Sequence, residues 1–196
     1  IINDESKIKK AFLSKKFDDK SIISMLNRNN VKIKYLDKIS MDKMVDGNHQ
    51  GIIFDVVDYE YFDVDDLISD GDDLIVMLDH LEDPHNFGAI IRTCEAAGVS
   101  GIIIPRDRSV SVNSTVMKVS TGALDRVKVS QVTNLGQCID YLKKKGFWVV
   151  GTDMNGTDYK EIDYSGKTVI IIGNEGKGIG DLVSKKCDFI ASIPMR

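Results

Sequence analysis

At 196 residues, 42% hydrophobic and 29% charged, the chain has the apolar content for one large packed domain or two small ones. No run approaches the ~18 apolar residues of a membrane-crossing helix, and Ile1-Ile2-Asn3-Asp4-Glu5 lacks the basic and apolar regions of a signal peptide. Cys94, Cys138 and Cys187 lie far apart without a CxxC pair, which argues against zinc and for reduced thiols in a cytoplasmic protein.

The net charge of −4 excludes a generally basic nucleic-acid coat, but it is unevenly spread. Residues 1–55 carry 11 Lys+Arg against 8 Asp+Glu, residues 56–79 carry 9 acidic groups and no basic one, and residues 80–196 carry 15 basic against 13 acidic groups. A phosphate-binding face at either end is compatible with that distribution.

In chain order, the first 57 residues read as a small α/β unit. A strand is expected over 7–13, a helix over 19–29 with Ile22, Ile23 and Leu26 on one side, and a strand over 31–36. In that second strand Val31, Ile33 and Tyr35 alternate against Lys32 and Lys34. A short helix over 37–45 and a closing strand over 51–57 complete the unit. Residues 58–73 form an acidic linker with a short helical piece, and this composition shift is the best domain boundary.

From residue 74 strands and helices alternate. Strands are expected at 74–79, 101–105, 127–130, 147–152, 168–172 and 189–193, and helices at 87–97, 113–120, 134–145 and 179–186. Continuous apolar runs such as Leu74-Ile75-Val76-Met77-Leu78 imply strands buried on both faces, hence a mainly parallel sheet covered by helices. Gly98 reads as a C′ glycine and Asn134 as an N-cap.

Three turns carry chemistry. In the first, Asn86-Phe87-Gly88-Ala89-Ile90-Ile91-Arg92-Thr93 follows a strand. Phe87, Ile90, Ile91, Cys94 and Ala97 form the apolar stripe, and Arg92 points away from it. A solvated surface arginine is the plain reading, and Asn86 reads plainly as an N-cap. At about 100° per residue, Asn86 and Arg92 do not share a helix face. They meet only if Asn86 stands outside the helix or Arg92 reaches a partner subunit.

The second turn, Gly173-Asn174-Glu175-Gly176-Lys177-Gly178, follows Thr168-Val169-Ile170-Ile171-Ile172. It is not a P-loop, because Gly178 stands where that motif needs Ser or Thr. It is not a dinucleotide fingerprint either, because Asp181 replaces the last glycine. An ordinary αβ turn remains open beside a glycine-lined approach for a ligand. Glu175 disfavours phosphate there and favours a cationic or hydroxyl-bearing ligand. The third signal is Ile193-Pro194-Met195.

Together these residues resemble the SpoU-type RNA ribose 2′-O-methyltransferases of the SPOUT class. The three family motifs look like Asp83–Thr93, Gly173–Gly178 and Ile193–Met195, with further similarity at Pro105–Ser109 and Lys118–Ala123. Asn48-His49-Gln50-Gly51 is similar, more loosely, to the RNA-binding domain of the RlmB-like subgroup. The resemblance implies an α/β sheet ending in a trefoil knot, a homodimer with its sites at the subunit interface, S-adenosyl-L-methionine as cofactor and no metal. It also implies catalytic roles for Arg92, Asn86 and Glu175, and cofactor contacts at Gly173, Ile193, Gly178 and Met195. Residues 1–57 would bind RNA and 74–196 would carry catalysis.

The expected substrate is a guanosine ribose in large-subunit ribosomal RNA. A tRNA enzyme, a silent RNA-binding relative and a nucleotide-dependent oxidoreductase are the alternatives. The family's N-terminal opening and its Ser-Leu-Asn continuation after the third motif are not in the sequence, so the chain reads as trimmed at both ends.

Overall fold

The computed structural model describes residues 7–45, 48–71 and 73–194. The fold divides into two compact units, Ile2–Tyr59 and Glu60–Arg196.

In the first unit, β1 (Ile8–Ser14), α1 (Lys20–Arg28), β2 (Lys32–Leu36), α2 (Lys38–Asp42) and β3 (Ile52–Val56) form a three-stranded sheet of order β2-β1-β3 and two helices. β1 pairs parallel with β2 and antiparallel with β3. Asp19 caps α1 by accepting the Ser21 and Ile22 amides, and Asp37 caps α2 through the Ser40 amide. Ile8, Ala11, Leu13, Leu26 and Val31 form the core, with Phe17, Ile22, Ile23 and Phe54 around it. Tyr35 departs from the alternation expected of β2. It is 50% exposed, because β2 is an edge strand and lacks shielding from a strand on its outer side.

In the second unit, β4 (Leu74–Leu78), α3 (Pro84–Ala96), β5 (Gly101–Pro105), α4 (Ser114–Val119) and β6 (Lys128–Val132) come first. They are followed by α5 (Leu135–Lys144), β7 (Trp148–Asp158), β8 (Thr168–Ile172), α6 (Asp181–Ser184) and β9 (Phe189–Ser192). Its six strands run β6-β5-β4-β8-β7-β9 and every pairing is parallel. This is the expected helix-flanked parallel sheet. β5 is buried at all five positions, as a strand covered on both faces must be. Ile75, Met77, Ile103, Val149, Val169 and Ile171 meet Leu135, Ile139 and Leu142 of α5 in the core.

Four local features differ from expectation. α3 begins at Pro84, capped by Asp83, whose carboxylate accepts the His85 amide at 2.6 Å. Proline at the first helical position and aspartate before it are strong start signals. β7 is longer than expected because its pairing with β9 resumes after a bulge, so that Thr152 and Thr157 both oppose Ala191. α6 is a single turn. The acidic stretch expected to be a linker is packed from Phe62 onward: the Phe62 amide donates to the Val129 carbonyl, and Leu67 is buried. Gly101 is required beneath Leu67, since a β-carbon there would lie 2.3 Å from Leu67 Cγ.

Asp73 closes this stretch. Buried, it accepts the Ser69 amide and hydroxyl at 2.7 Å each and the Ser100 hydroxyl at 3.1 Å. Burial pushes its pKa up, but the hydrogen bonds from Ser69 and Ser100, with Lys167 at 3.7 Å, outweigh it and hold the carboxyl below its ordinary value.

Candidate active site

The strand order changes direction between β4 and β8, the first strand of the sheet and the strand inserted beside it. The loops leaving two such strands diverge and open a crevice at their carboxyl ends, where open α/β sheets bind ligands. Here those loops are tied together. The buried Asp79, just past β4, accepts the Gly180 amide at 2.7 Å and lies 2.5 Å from His80 Nδ1. Asn174 Nδ2 donates to the His80 carbonyl at 2.9 Å. His80 has φ +58°, the left-handed region, so its carbonyl is turned to meet that amide.

The glycine turn is closed on itself. Asn174 and Gly178 exchange two backbone hydrogen bonds, at 3.0 and 2.9 Å. Asn174 Oδ1 also accepts the Gly176 amide at 3.0 Å and the Lys177 amide at 3.3 Å. A β-carbon on Gly173 would lie 2.2 Å from the Gly178 carbonyl carbon and 2.4 Å from the Ile179 nitrogen. Gly173 is therefore a glycine because the chain's own backbone crosses it. This self-contact is a third reason for glycine, beside the ordinary turn and the ligand's approach that the sequence suggests. Gly178 takes φ +67°, where glycine is the least strained residue.

Asn86 lies inside the first turn of α3 and is not its cap, which is Asp83. From there Asn86 Nδ2 donates to Glu175 Oε1 at 2.7 Å, across 89 residues of sequence. Phe87 and Gly88 of the same motif serve packing: Phe87 is buried, and a β-carbon on Gly88 would lie 2.7 Å from Val119 Cβ of α4. Arg92 is exposed and makes no hydrogen bond or ion pair among the described residues. Six residues along one helix put it about 120° from Asn86. With Asn86 inside α3, the first route by which the two were expected to meet is closed.

Ile193 follows β9 directly and is 69% exposed. It shares the carboxyl edge of the parallel sheet with Gly173, while Met195 lies outside the described residues. A groove of about 630 Å³ opens at this edge, within the usual size range of small-molecule sites. Asp79, His80, Asn134, Leu135, Gly180 and Leu182 are among the residues lining it, and Gly173, Gly178 and Ile193 are not. Of its lining residues, Asn134 had been read only as a helix cap, a role it holds by accepting the Gln137 amide at 2.9 Å. Asp79 and Gly180 carried no signal beyond their place at the ends of β4 and the glycine turn.

The groove's lining carries the carboxylates of Asp107 and Asp181 beside Arg108, with Asp140 paired to Lys186 at 2.6 Å and Asp79 held by Gly180 and His80, and Leu135, Leu182 and Val183 give it apolar wall. Among the described residues, no group of three or more His, Cys, Asp or Glu side chains is placed to hold a metal ion, and no helix is long and apolar enough to cross a membrane.

The chain belongs to the SpoU rRNA Methylase family, which it matches over residues 73–196, and is thereby an RNA methyltransferase of the TrmH/SpoU type. Residues 1–62 match the family described as RNA 2′-O ribose methyltransferase substrate binding. The chain is 41% identical over 180 residues to YacO of Bacillus subtilis, named for the TrmH family of tRNA/rRNA methyltransferases, covering 89% of this chain and 72% of YacO. Among solved structures it is similar to the SpoU methyltransferase AviRb of Streptomyces viridochromogenes in complex with AdoMet. That likeness has a TM-score of 0.79 at 24% identity, over 96% of this chain and 74% of the other, and it bears on the fold alone. An AdoMet-bound rRNA methyltransferase of Sinorhizobium meliloti gives a TM-score of 0.78 at 25% identity, over 97% of this chain and 72% of that one.

Proposed function

We propose that this chain transfers a methyl group from S-adenosyl-L-methionine to a ribose 2′-hydroxyl, that of a guanosine in large-subunit ribosomal RNA, and does so as a cytoplasmic homodimer. The observation that carries the reading is the Asn86–Glu175 hydrogen bond, which joins the first two motifs into one polar site beside the β4/β8 crevice. The RNA-substrate family matched by residues 1–62 and the rRNA enzymes of similar fold support the substrate class.

A ribose hydroxyl is a weak nucleophile near neutral pH, so the protein's task is to align it for attack, its proton passing to the Glu175 carboxylate or to water. When bound, the cofactor's sulfonium supplies an activated methyl group. Glu175 holds the Asn86 amide, leaving its carbonyl oxygen free to accept from the hydroxyl. Gly173 and Gly178 shape the turn that presents Glu175, Ile193 offers apolar surface at the same sheet edge, and Met195 follows in the same sequence motif. Arg92 presents a planar guanidinium. Its fork suits the phosphate next to the target ribose, and its role is orientation and charge stabilisation.

Because Arg92 points about 120° away from Asn86, it serves the site of a second copy. That division of labour is what makes the homodimer part of the proposal. In the same reading residues 1–57 hold RNA, residues 74–196 carry transfer, and the C-terminal trefoil knot is supported by the fold likeness alone.

Arg92→Ala tests the site. Methyl transfer should fall by at least ~10²-fold, the scale of a lost transition-state contact, with cofactor affinity within a few-fold of the parent. Unchanged turnover would remove Arg92 from the mechanism. Transfer to tRNA in place of ribosomal RNA would promote the tRNA reading, which YacO's naming for both substrates equally supports.

A further inference from the structure

The first unit contains a hollow of about 790 Å³ between the end of β1, the start of α2 and the turn at His49–Gly51. Its floor is unusually well fixed. The His49 side chain is only 8% exposed: its Nδ1 accepts the Gly51 amide at 3.0 Å, so its Nε2 carries the proton and donates to Asp42 Oδ1 at 3.0 Å. The Gly51 carbonyl in turn accepts the Ser14 amide at 2.8 Å, which pins the turn to β1. Gln50 is held at φ +49°, a strained conformation for a side-chain-bearing residue, its backbone amide donates to Asn48 Oδ1 at 3.1 Å, and the residue is exposed.

The charges around this floor are not equivalent. Both carboxylates in the lining are engaged by protein donors: Asp42 by His49, and Asp37 by the Ser40 amide and hydroxyl. Those hydrogen bonds, then the nearby Lys15, hold Asp37 below the usual carboxylate range. The three cations of the lining, Lys15, Lys16 and Lys38, make no ion pair or side-chain hydrogen bond among the described residues. Among the described residues the hollow therefore offers three exposed ammonium groups, of which Lys15 also acts on Asp37, and the exposed Gln50 side chain, with donors and an acceptor, above a hydrogen-bonded floor.

We propose that this hollow is a nucleotide-binding site for a single-stranded stretch of the RNA substrate. Lys15, Lys16 and Lys38 contact successive phosphates, and the Gln50 amide reads a base edge. Unstacked bases expose their edges in this way, whereas duplex RNA hides them in a deep groove. The site rests on the reading that the chain acts on RNA, and it adds where the first unit grips it and through which groups.

The test uses the full chain and two probes, an unmodified large-subunit ribosomal RNA transcript and a short fluorescent single-stranded RNA. In the triple variant Lys15→Gln/Lys16→Gln/Lys38→Gln, affinity for both should fall at least ~10-fold at low salt. The slope of log affinity against log salt should flatten by about 2, from three contacts at ~0.7 each. The RNA KM should rise with kcat retained, and the melting curve should not move, since all three side chains are exposed. Gln50→Ala should weaken binding several-fold with the salt slope unchanged. Transcript carrying 4-thiouridine should cross-link to the peptide containing Gln50.

Parent-like affinity and slope in the triple variant, or cross-links confined to other peptides, would overturn the site while leaving the methyltransferase reading intact. A parent chain that neither binds nor methylates RNA would overturn both.

Discussion

Replacing Gly173 with alanine separates two reasons for a glycine at that position. The added β-carbon would stand 2.2 Å from the Gly178 carbonyl carbon and 2.4 Å from the Ile179 nitrogen. Comfortable contact needs roughly 3.5–4.0 Å, so one arm of the turn must move by more than about 1 Å. That movement breaks the paired hydrogen bonds between Asn174 and Gly178, worth about 0.5–1.5 kcal/mol each. Residual overpacking adds about 1–3 kcal/mol. The sum is about 2–6 kcal/mol, and at ~2–4 °C per kcal/mol for a chain of this size the melting temperature should fall by roughly 4–24 °C. The assay is a thermal melt by near-ultraviolet circular dichroism without cofactor, with S-adenosylmethionine affinity measured by calorimetry on the same sample. A melting temperature within about 1 °C of the parent, together with collapsed cofactor affinity, would refute the packing account and restore a ligand's approach as the reason for the glycine.

Asp73→Asn should lower stability at pH 7 by about 1–3 kcal/mol, because a hydrogen-bonded buried charge is replaced by a poorer acceptor. The sign of its pH dependence follows from the depressed folded pKa. The stabilisation is fully present above the ordinary value of 3.8 and is lost as pH falls through the lower folded value. Urea melts from pH 7 down to about 3 should show a shallower acid decline in the variant than in the parent, and parallel curves would count against this role for Asp73. Cys94 and Cys138, each pushed up to about 11 by burial, should resist iodoacetamide at pH 8 in the native chain and react fully in denaturant. Fast labelling of either in the native chain, read by peptide mass spectrometry, would show that the packing around it is wrong.

The central strands of the second unit were legible because both faces of β4, β5 and β8 are largely buried. A continuous apolar run such as Ile102-Ile103-Ile104 has no other comfortable place. Ends were harder to read where a local signal was overlooked or a long-range one decides. The start of α3 is encoded in Asp83-Pro84, three residues before the position that the cap preference of Asn86 suggests. The extension of β7 to Asp158 follows from pairing with a strand more than thirty residues later in the chain, which no local pattern encodes. The acidic stretch looked like a linker by composition, yet one buried leucine, Leu67 over Gly101, makes it part of the second unit.

For the candidate site, the motifs single out Asn86, Arg92 and Glu175, but they do not give the geometry of these residues. The contact between Asn86 and Glu175 spans 89 residues, and Gly173's reason lies in a backbone crossing that only the folded turn displays.

The most direct test of the central claim is transfer of labelled methyl from S-adenosylmethionine to unmodified large-subunit ribosomal RNA, followed by alkaline hydrolysis. A methylated 2′-hydroxyl cannot attack its neighbouring phosphodiester, so the account predicts label in alkali-resistant dinucleotides. Label released in mononucleotides would place the methyl on a base and contradict the ribose assignment, and no label from a chain shown to bind the cofactor would contradict the proposed activity on this RNA.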